Sequence, residues 1–246
     1  MKAIILAAGR GSRMGGATAD QPKCLTVLFG KTLLAWQLEA LRGADIKTIA
    51  IVRGYMAEKL AVAGVDTFDN PRWAETNMVA SLSCASSWLS TETCLVSYSD
   101  IIYPALTIKA LAKAQGDIVI TCFTDWRRLW EERFKDPLSD AETFRVDASG
   151  RLLEIGSRPR NLDEVQGQYM GLLKFTPGGW RSVDALLRSM EPAQRDKLDV
   201  TAMLRLLIER GTPVFTVPVE QPWYEVDTQS DLELYQARAL QGGGLF

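Results

Sequence analysis

The segment Leu6-Ala7-Ala8-Gly9-Arg10-Gly11-Ser12-Arg13-Met14 puts two glycines and two arginines directly after the apolar run Ala3-Ile4-Ile5-Leu6. Glycines at the end of a strand let backbone amides come close to phosphate oxygens, and an arginine adds a charge-assisted hydrogen bond. Residues 1 to 25 carry Lys2, Arg10, Arg13 and Lys23 against the single acid Asp20, which suits a small anionic ligand. The spacing excludes two common phosphate motifs. A dinucleotide fingerprint needs glycine where Met14 stands, and Gly30-Lys31-Thr32 is no P-loop because Leu25 occupies the place of its first glycine.

The chain contains no histidine. That removes Ser-His-Asp and Cys-His relays, His-ligated zinc and any imidazole proton shuttle. Chemistry must rest on carboxylates, lysine, arginine, hydroxyls and metal ions. Asp100 closes Val96-Ser97-Tyr98-Ser99-Asp100, at the carboxyl edge of a strand, where open α/β sheets bind ligands. Taken alone, an acid there is a turn or a helix cap.

The arrangement LAAGxGxRM, then PKxL nine residues on at Pro22-Lys23-Cys24-Leu25, resembles the signature of the sugar-1-phosphate nucleotidyltransferase superfamily. The resemblance implies a glycine loop wrapped around a nucleotide triphosphate, formed by Leu6, Ala7, Ala8, Gly9, Gly11 and Ser12, with Arg13 and Lys23 on the phosphates. It places Asp100 at the family's metal aspartate, with Ser99 where a glycine is common. It places Asp227, in Trp223-Tyr224-Glu225-Val226-Asp227-Thr228, at the second. Two carboxylates suit Mg²⁺, which takes oxygen ligands and keeps positions for water and phosphate. The implied reaction is in-line attack of an anionic phosphate or phosphonate oxygen on the α-phosphorus. Such a nucleophile is already deprotonated, so no general base is required. Lys23, Arg13 and Asp100 are the candidate catalytic residues.

Four inner segments resemble the bacterial choline-phosphate and phosphonate cytidylyltransferase branch: Glu75 to Leu82, Ser97 to Tyr103, Asp125 to Arg133 and Gly167 to Gly171. This implies CTP as donor and a phosphocholine-like phosphate or an aminoalkylphosphonate, such as 2-aminoethylphosphonate, as acceptor. Asn77 and Ser81 are nucleotide-binding candidates, with a helix cap the plain alternative for Asn77. An ammonium-bearing acceptor wants aromatic faces and a carboxylate, which Trp130, Tyr169, Trp223, Tyr224 and Glu225 supply. Trp126 and Trp130 also read as an ordinary packing face. The alternatives are a sugar 1-phosphate enzyme using UTP or dTTP, and a catalytically silent nucleotide-binding module.

The elements that must position these residues alternate. Lys2 to Ala8 reads as a buried parallel strand and Leu34, Leu38 and Leu41 as a helix over 32–42 ended by Gly43. A strand follows at 48–52, then a helix around 76–89, a strand at 94–97, a helix at 104–114 and a strand at 117–122. Helices are also expected from the spacing of Val183, Leu186, Leu187 and Met190 and of Val200, Met203, Leu204 and Leu207. Val214 to Val217 closes as a strand, and Thr228 to Asp231 has capping-box spacing for the last helix. Short strands at Thr143–Val146, Leu152–Ile155 and Gly171–Phe175 suggest an antiparallel excursion over about 140–175. The expected fold is α/β, a Rossmann-like mixed, mainly parallel sheet flanked by helices, as one domain over 1–241 with a flexible tail at 242–246.

A hydrophobic content of 47% allows a substantial core, and a formal charge of -2 gives no overall attraction to nucleic acid. Cysteines 24, 84, 94 and 122 form no CxxC and read as reduced core thiols. The N-terminal apolar run is too short for a signal peptide and no stretch reaches membrane-span length, so a cytoplasmic protein is expected. Homodimers are common in the family; no feature of this sequence decides the point.

Overall fold

A computed structural model describes residues 1–240, and the expected tail at 242–246 lies outside them. Seven strands form one sheet: β1 (Lys2–Ala7), β2 (Ile49–Arg53), β3 (Asp66–Asp69), β4 (Cys94–Tyr98), β5 (Ile118–Phe123), β6 (Gln168–Phe175) and β7 (Phe215–Val219). Their spatial order is β7-β5-β6-β4-β1-β2-β3. Every neighbouring pair is parallel except those of β6, which runs antiparallel to both β4 and β5. This is the mixed, mainly parallel sheet expected.

The continuous apolar run of β1 is explained by its central place. Ala3, Ile5 and Ala7 face one hydrophobic cluster and Ile4, Leu6 and Ala8 the other, so the strand is buried on both sides. The first cluster is covered by the helices Leu33–Gly43, Ala105–Lys113, Trp126–Arg133 and Gln229–Leu240. The second is covered by Met78–Ser83, Pro177–Arg188 and Val200–Glu209. Burying each large aliphatic side chain contributes roughly 1.5–3 kcal/mol. Among the described residues no helix is long and apolar enough to cross a membrane.

Three local expectations are adjusted. Gly171–Phe175 is not part of a side excursion but belongs to β6 in the middle of the main sheet; only Phe144–Val146 and Leu152–Ile155 pair as a separate antiparallel ribbon. The helix around 76–89 is two, Met78–Ser83 and Ser86–Leu89, with the Ser86 hydroxyl bonding back to the Ser83 carbonyl at the break. The edge strand β3 carries no apolar signal in the sequence, because three of its four residues are exposed and only Phe68 is partly buried.

One small ladder matters most for the site. Ile101–Ile102, just past β4, pairs antiparallel with Tyr224–Glu225, and the Val226 amide donates to the Asp100 carbonyl at 2.9 Å. This brings the end of β4 beside the segment entering the last helix.

Candidate active site

The site lies at the carboxyl ends of β1 and β4, where the chain order of neighbouring strands reverses and open sheets form their ligand crevice. The loop after β1 turns through Gly11, whose φ of +69° lies in the left-handed region that favours glycine. Thr18, buried below it, donates from Oγ1 to the Gly11 carbonyl at 3.2 Å. Gly9, Arg10, Ser12 and Arg13 are exposed, whereas Leu6, Ala7 and Ala8 are buried, so the last three can serve the loop only through their backbone.

Lys23 opens a short 3₁₀ turn, Lys23–Leu25, behind Pro22 and is only 6% exposed. Its ammonium donates to Asp100 Oδ2 at 2.7 Å and to Asp227 Oδ1 at 2.8 Å. The other oxygen of Asp227 pairs with the Arg13 guanidinium, whose side chain is otherwise 70% exposed. Burial alone pulls the Lys23 pKa down, but Asp100 and Asp227 outweigh it and hold it above the ordinary lysine value. The ammonium therefore stays charged across the neutral range.

Asp100 is held by more than the ladder. Gln37, fully buried on the helix Leu33–Gly43, donates from Nε2 to the carbonyls of Tyr98 and Ile101, at 2.8 and 2.5 Å. These two bonds straddle Ser99-Asp100 and fix the turn that carries the acid. The Asp100 oxygen not bound to Lys23, Oδ1, is buried without a hydrogen-bond partner.

A cavity of about 390 Å³ opens beside Arg13 and Asp227. Asn77, Tyr98, Trp130, Tyr169 and Gly171 are among its lining residues, and so are the acids Asp140, Glu142, Asp199 and Glu225. Removal from water, then the neighbouring Asp199 and Asp140, push the Glu142 carboxyl above its usual range. A larger cavity of about 630 Å³ lies at the opposite end of the strands around Lys113, Asp117, Lys174 and Phe215. It contains none of Arg13, Lys23, Asp100 and Asp227.

Residues 3–138 match the family model of the MobA-like NTP transferase domain. The chain belongs to this family.

The transferase is 33% identical over 253 residues to the CTP:phosphoglutamine cytidylyltransferase of Campylobacter jejuni, covering 95% of this chain and 98% of that one. A shorter match, 38% identical over 86 residues, reaches the choline-phosphate cytidylyltransferase of Streptococcus pneumoniae, with 33% of this chain and 38% of that one covered. Among solved structures, a putative glucose-1-phosphate thymidylyltransferase from Bacillus anthracis superposes with a TM-score of 0.76 at 18% identity, over 97% of this chain and 95% of that one. The resemblance read from LAAGxGxRM and PKxL is borne out, and so is the likeness to the cytidylyltransferase branch.

Within the transferase, Arg13, Lys23, Asp100 and Asp227 converge on one another. Asn77 lines the cavity but its side chain is also engaged as a cap, accepting from the Met78 amide at 2.7 Å and donating to the Lys197 carbonyl at 3.2 Å. Ser81 is buried and accepts from Asn70 at 3.0 Å, away from the cavity lining. Trp130, Tyr169 and Glu225 line the cavity. Trp223 instead backs it, stacked on Trp130 at 6.1 Å and 9°, and Tyr224 packs edge-on against Tyr235 at 5.0 Å. Glu225 is paired with Arg133 at 3.0 Å, so its charge is already compensated.

Sequence reasoning missed Gln37, Asp140, Glu142 and Asp199. Asp199 had a readable signal, since it stands just before the apolar positions of a helix and does cap it, accepting from Ala202 at 2.7 Å. Nothing local marked Gln37, an amide on the apolar face of a helix.

Proposed function

We propose that this transferase moves CMP from CTP to a small phosphate or phosphonate that carries a cationic amine, releasing pyrophosphate. The observation that carries the reading is the convergence of Lys23, Arg13, Asp100 and Asp227 beside a cavity with aromatic and acidic walls. The relatives that act on CTP with phosphoglutamine and on choline phosphate, by their names, support the donor and the acceptor class. The acidic wall adds a reason of its own. Asp140, Glu142 and Asp199 face the space beside the phosphate cations, which favours an acceptor that is anionic at one end and cationic at the other.

The acceptor oxygen attacks the α-phosphorus, and the bond from that phosphorus to the β-phosphate oxygen breaks. Arg13 and Lys23 neutralise charge on the transferring and leaving phosphates, and the loop at Gly9 to Ser12 orients them. The donor set fits Mg²⁺. Asp100 and Asp227 approach a single point, Lys23 Nζ, and Asp100 retains a buried oxygen without a partner. Among the described residues no cluster of three or more His, Cys, Asp or Glu side chains could hold a metal ion alone, and two carboxylates completed by phosphate oxygens is an arrangement Mg²⁺ takes. When bound, the ion supplies charge neutralisation and a template for the phosphates.

Pyrophosphate release with Mg²⁺, measured for four nucleotides against phosphocholine, 2-aminoethylphosphonate, phosphoglutamine and glucose 1-phosphate, tests the reading. Turnover with CTP and an amine-bearing acceptor is the expected result. Turnover of glucose 1-phosphate with UTP, and none with CTP, overturns it in favour of a sugar 1-phosphate enzyme.

A further inference from the structure

Arg133 and Asp231 form a buried ion pair that has no direct part in the chemistry derived above. The Arg133 side chain is 1% exposed and that of Asp231 is 6% exposed, and Arg133 Nε donates to Asp231 Oδ1 at 2.9 Å. The other oxygen, Oδ2, accepts from the Asp227 amide at 3.0 Å, the Thr228 amide at 2.8 Å and the Thr228 hydroxyl at 2.9 Å. The two amides belong to the peptide planes on either side of the Asp227 Cα, so one oxygen restrains both backbone torsions of Asp227. Arg133 Nη1 also donates to Glu225 Oε2 at 3.0 Å, fixing the chain two residues upstream. The guanidinium lies 5.1 Å from the ring of Trp130, on the cavity wall.

Asp231 stands three residues after the cap Thr228, and its bonds with the Thr228 amide and hydroxyl are those of a capping box, in which a neutral glutamine also serves. A buried charged pair costs desolvation and is weak grounds for stability by itself. Capping therefore does not account for the pair. We propose that Arg133 and Asp231 are positioning residues that set the Asp227 carboxylate, and tie it to the Trp130 wall of the acceptor cavity. The inference rests on the reading of Asp227 as a metal carboxylate. Partners that orient a metal's ligands act in this way, and their loss typically weakens metal affinity or activity about 10–100-fold.

Asparagine at 231 keeps the size of the side chain but has a single oxygen. If that oxygen faces the two amides, its NH₂ meets Arg133; if it faces Arg133, its NH₂ meets the amides. The test is Mn²⁺ binding by electron paramagnetic resonance, in the presence of a non-hydrolysable CTP analogue, together with kcat and the KM for CTP. It is run on wild type, Asp231→Asn, Arg133→Met, Arg133→Lys and Asp227→Asn, at a temperature where circular dichroism shows each folded. Asp231→Asn and Arg133→Met are expected to bind Mn²⁺ about 10–100-fold more weakly and to lose kcat with little change in KM, with Arg133→Lys intermediate. If Arg133→Met does not fold, Arg133→Lys carries the comparison. Wild-type Mn²⁺ affinity in folded Asp231→Asn and Arg133→Lys, with only a lower Tm, overturns the inference while Asp227→Asn still loses the ion. Wild-type affinity in Asp227→Asn overturns the metal reading itself, and this inference with it.

Discussion

Gly11 packs directly on the stem of Lys23: a Cβ built at Gly11 would lie 2.7 Å from Lys23 Cδ and 2.8 Å from Lys23 Cβ. The phosphate loop and the buried ammonium are thus one packing unit. Gly11→Ala meets both this clash and the left-handed backbone, a strain of about 1–3 kcal/mol. It is expected to lower Tm and to weaken CTP binding by displacing Lys23, with calorimetric titration of CTP as the check. Unchanged affinity and Tm count against the contact.

Replacing Lys23 by methionine leaves Asp100 and Asp227 facing each other in a buried site without their shared cation. Breaking a buried pair this way costs about 3–5 kcal/mol. On the proposed role of Lys23 beside the transferring phosphates, kcat is expected to fall about 10²–10³-fold. Asp100→Ala is expected to abolish turnover while removing one side of the repulsion, so it should melt higher than Lys23→Met. Thermal denaturation and pyrophosphate release on both variants decide the matter; substantial turnover in Asp100→Ala defeats its assigned role.

Burial raises the Glu225 carboxyl from 4.5 to about 7; Arg133 opposes the shift, and Asp100 and Asp227 reinforce it. A carboxyl whose folded pKa is raised contributes stability that is complete below the unfolded value and lost as pH rises through the folded one. The Tm advantage of wild type over Glu225→Gln is therefore expected to shrink as pH climbs from about 4.5 to about 7. Parallel Tm curves for the two proteins over that window contradict the assignment.

Desolvation raises the thiols of Cys24 and Cys122 to about 12 and that of Cys94 to about 11, and all three are buried. Thiolate, not thiol, reacts. Alkylation of the native protein at pH 8, followed by peptide mass spectrometry, is expected to modify only the half-buried Cys84, and slowly. Rapid labelling of Cys24, next to Lys23, speaks against the packed site.

The expected helix over 32–42 is Leu33–Gly43, capped by the Thr32 hydroxyl accepting from Ala35 at 3.1 Å. Thr228 and Asp231 make the reciprocal bonds their spacing implied, the Asp231 amide donating to Thr228 Oγ1 at 3.3 Å. What failed was neighbourhood. The run ending at Phe175 looks the same whether it pairs in a side ribbon or between β4 and β5, because burial on both faces leaves no trace of strand direction.

The candidate site divides along the same line. The sequence alone showed a loop with glycines and cations close together after a buried strand, because that feature is local and needs no tertiary contact to be seen. It also supplied Lys23, Asp100 and Asp227 as isolated candidates. Only the tertiary structure decided that they meet, across separations of 77 and 204 positions, because the pairing of Ile101–Ile102 with Tyr224–Glu225 brings their segments together. It also decided which acids line the cavity beside Arg13 and Asp227. Asp140, Glu142, Asp199 and Glu225 all line the cavity, and of these Glu225 is paired with Arg133, an arrangement made by packing between distant segments that no local spacing encodes.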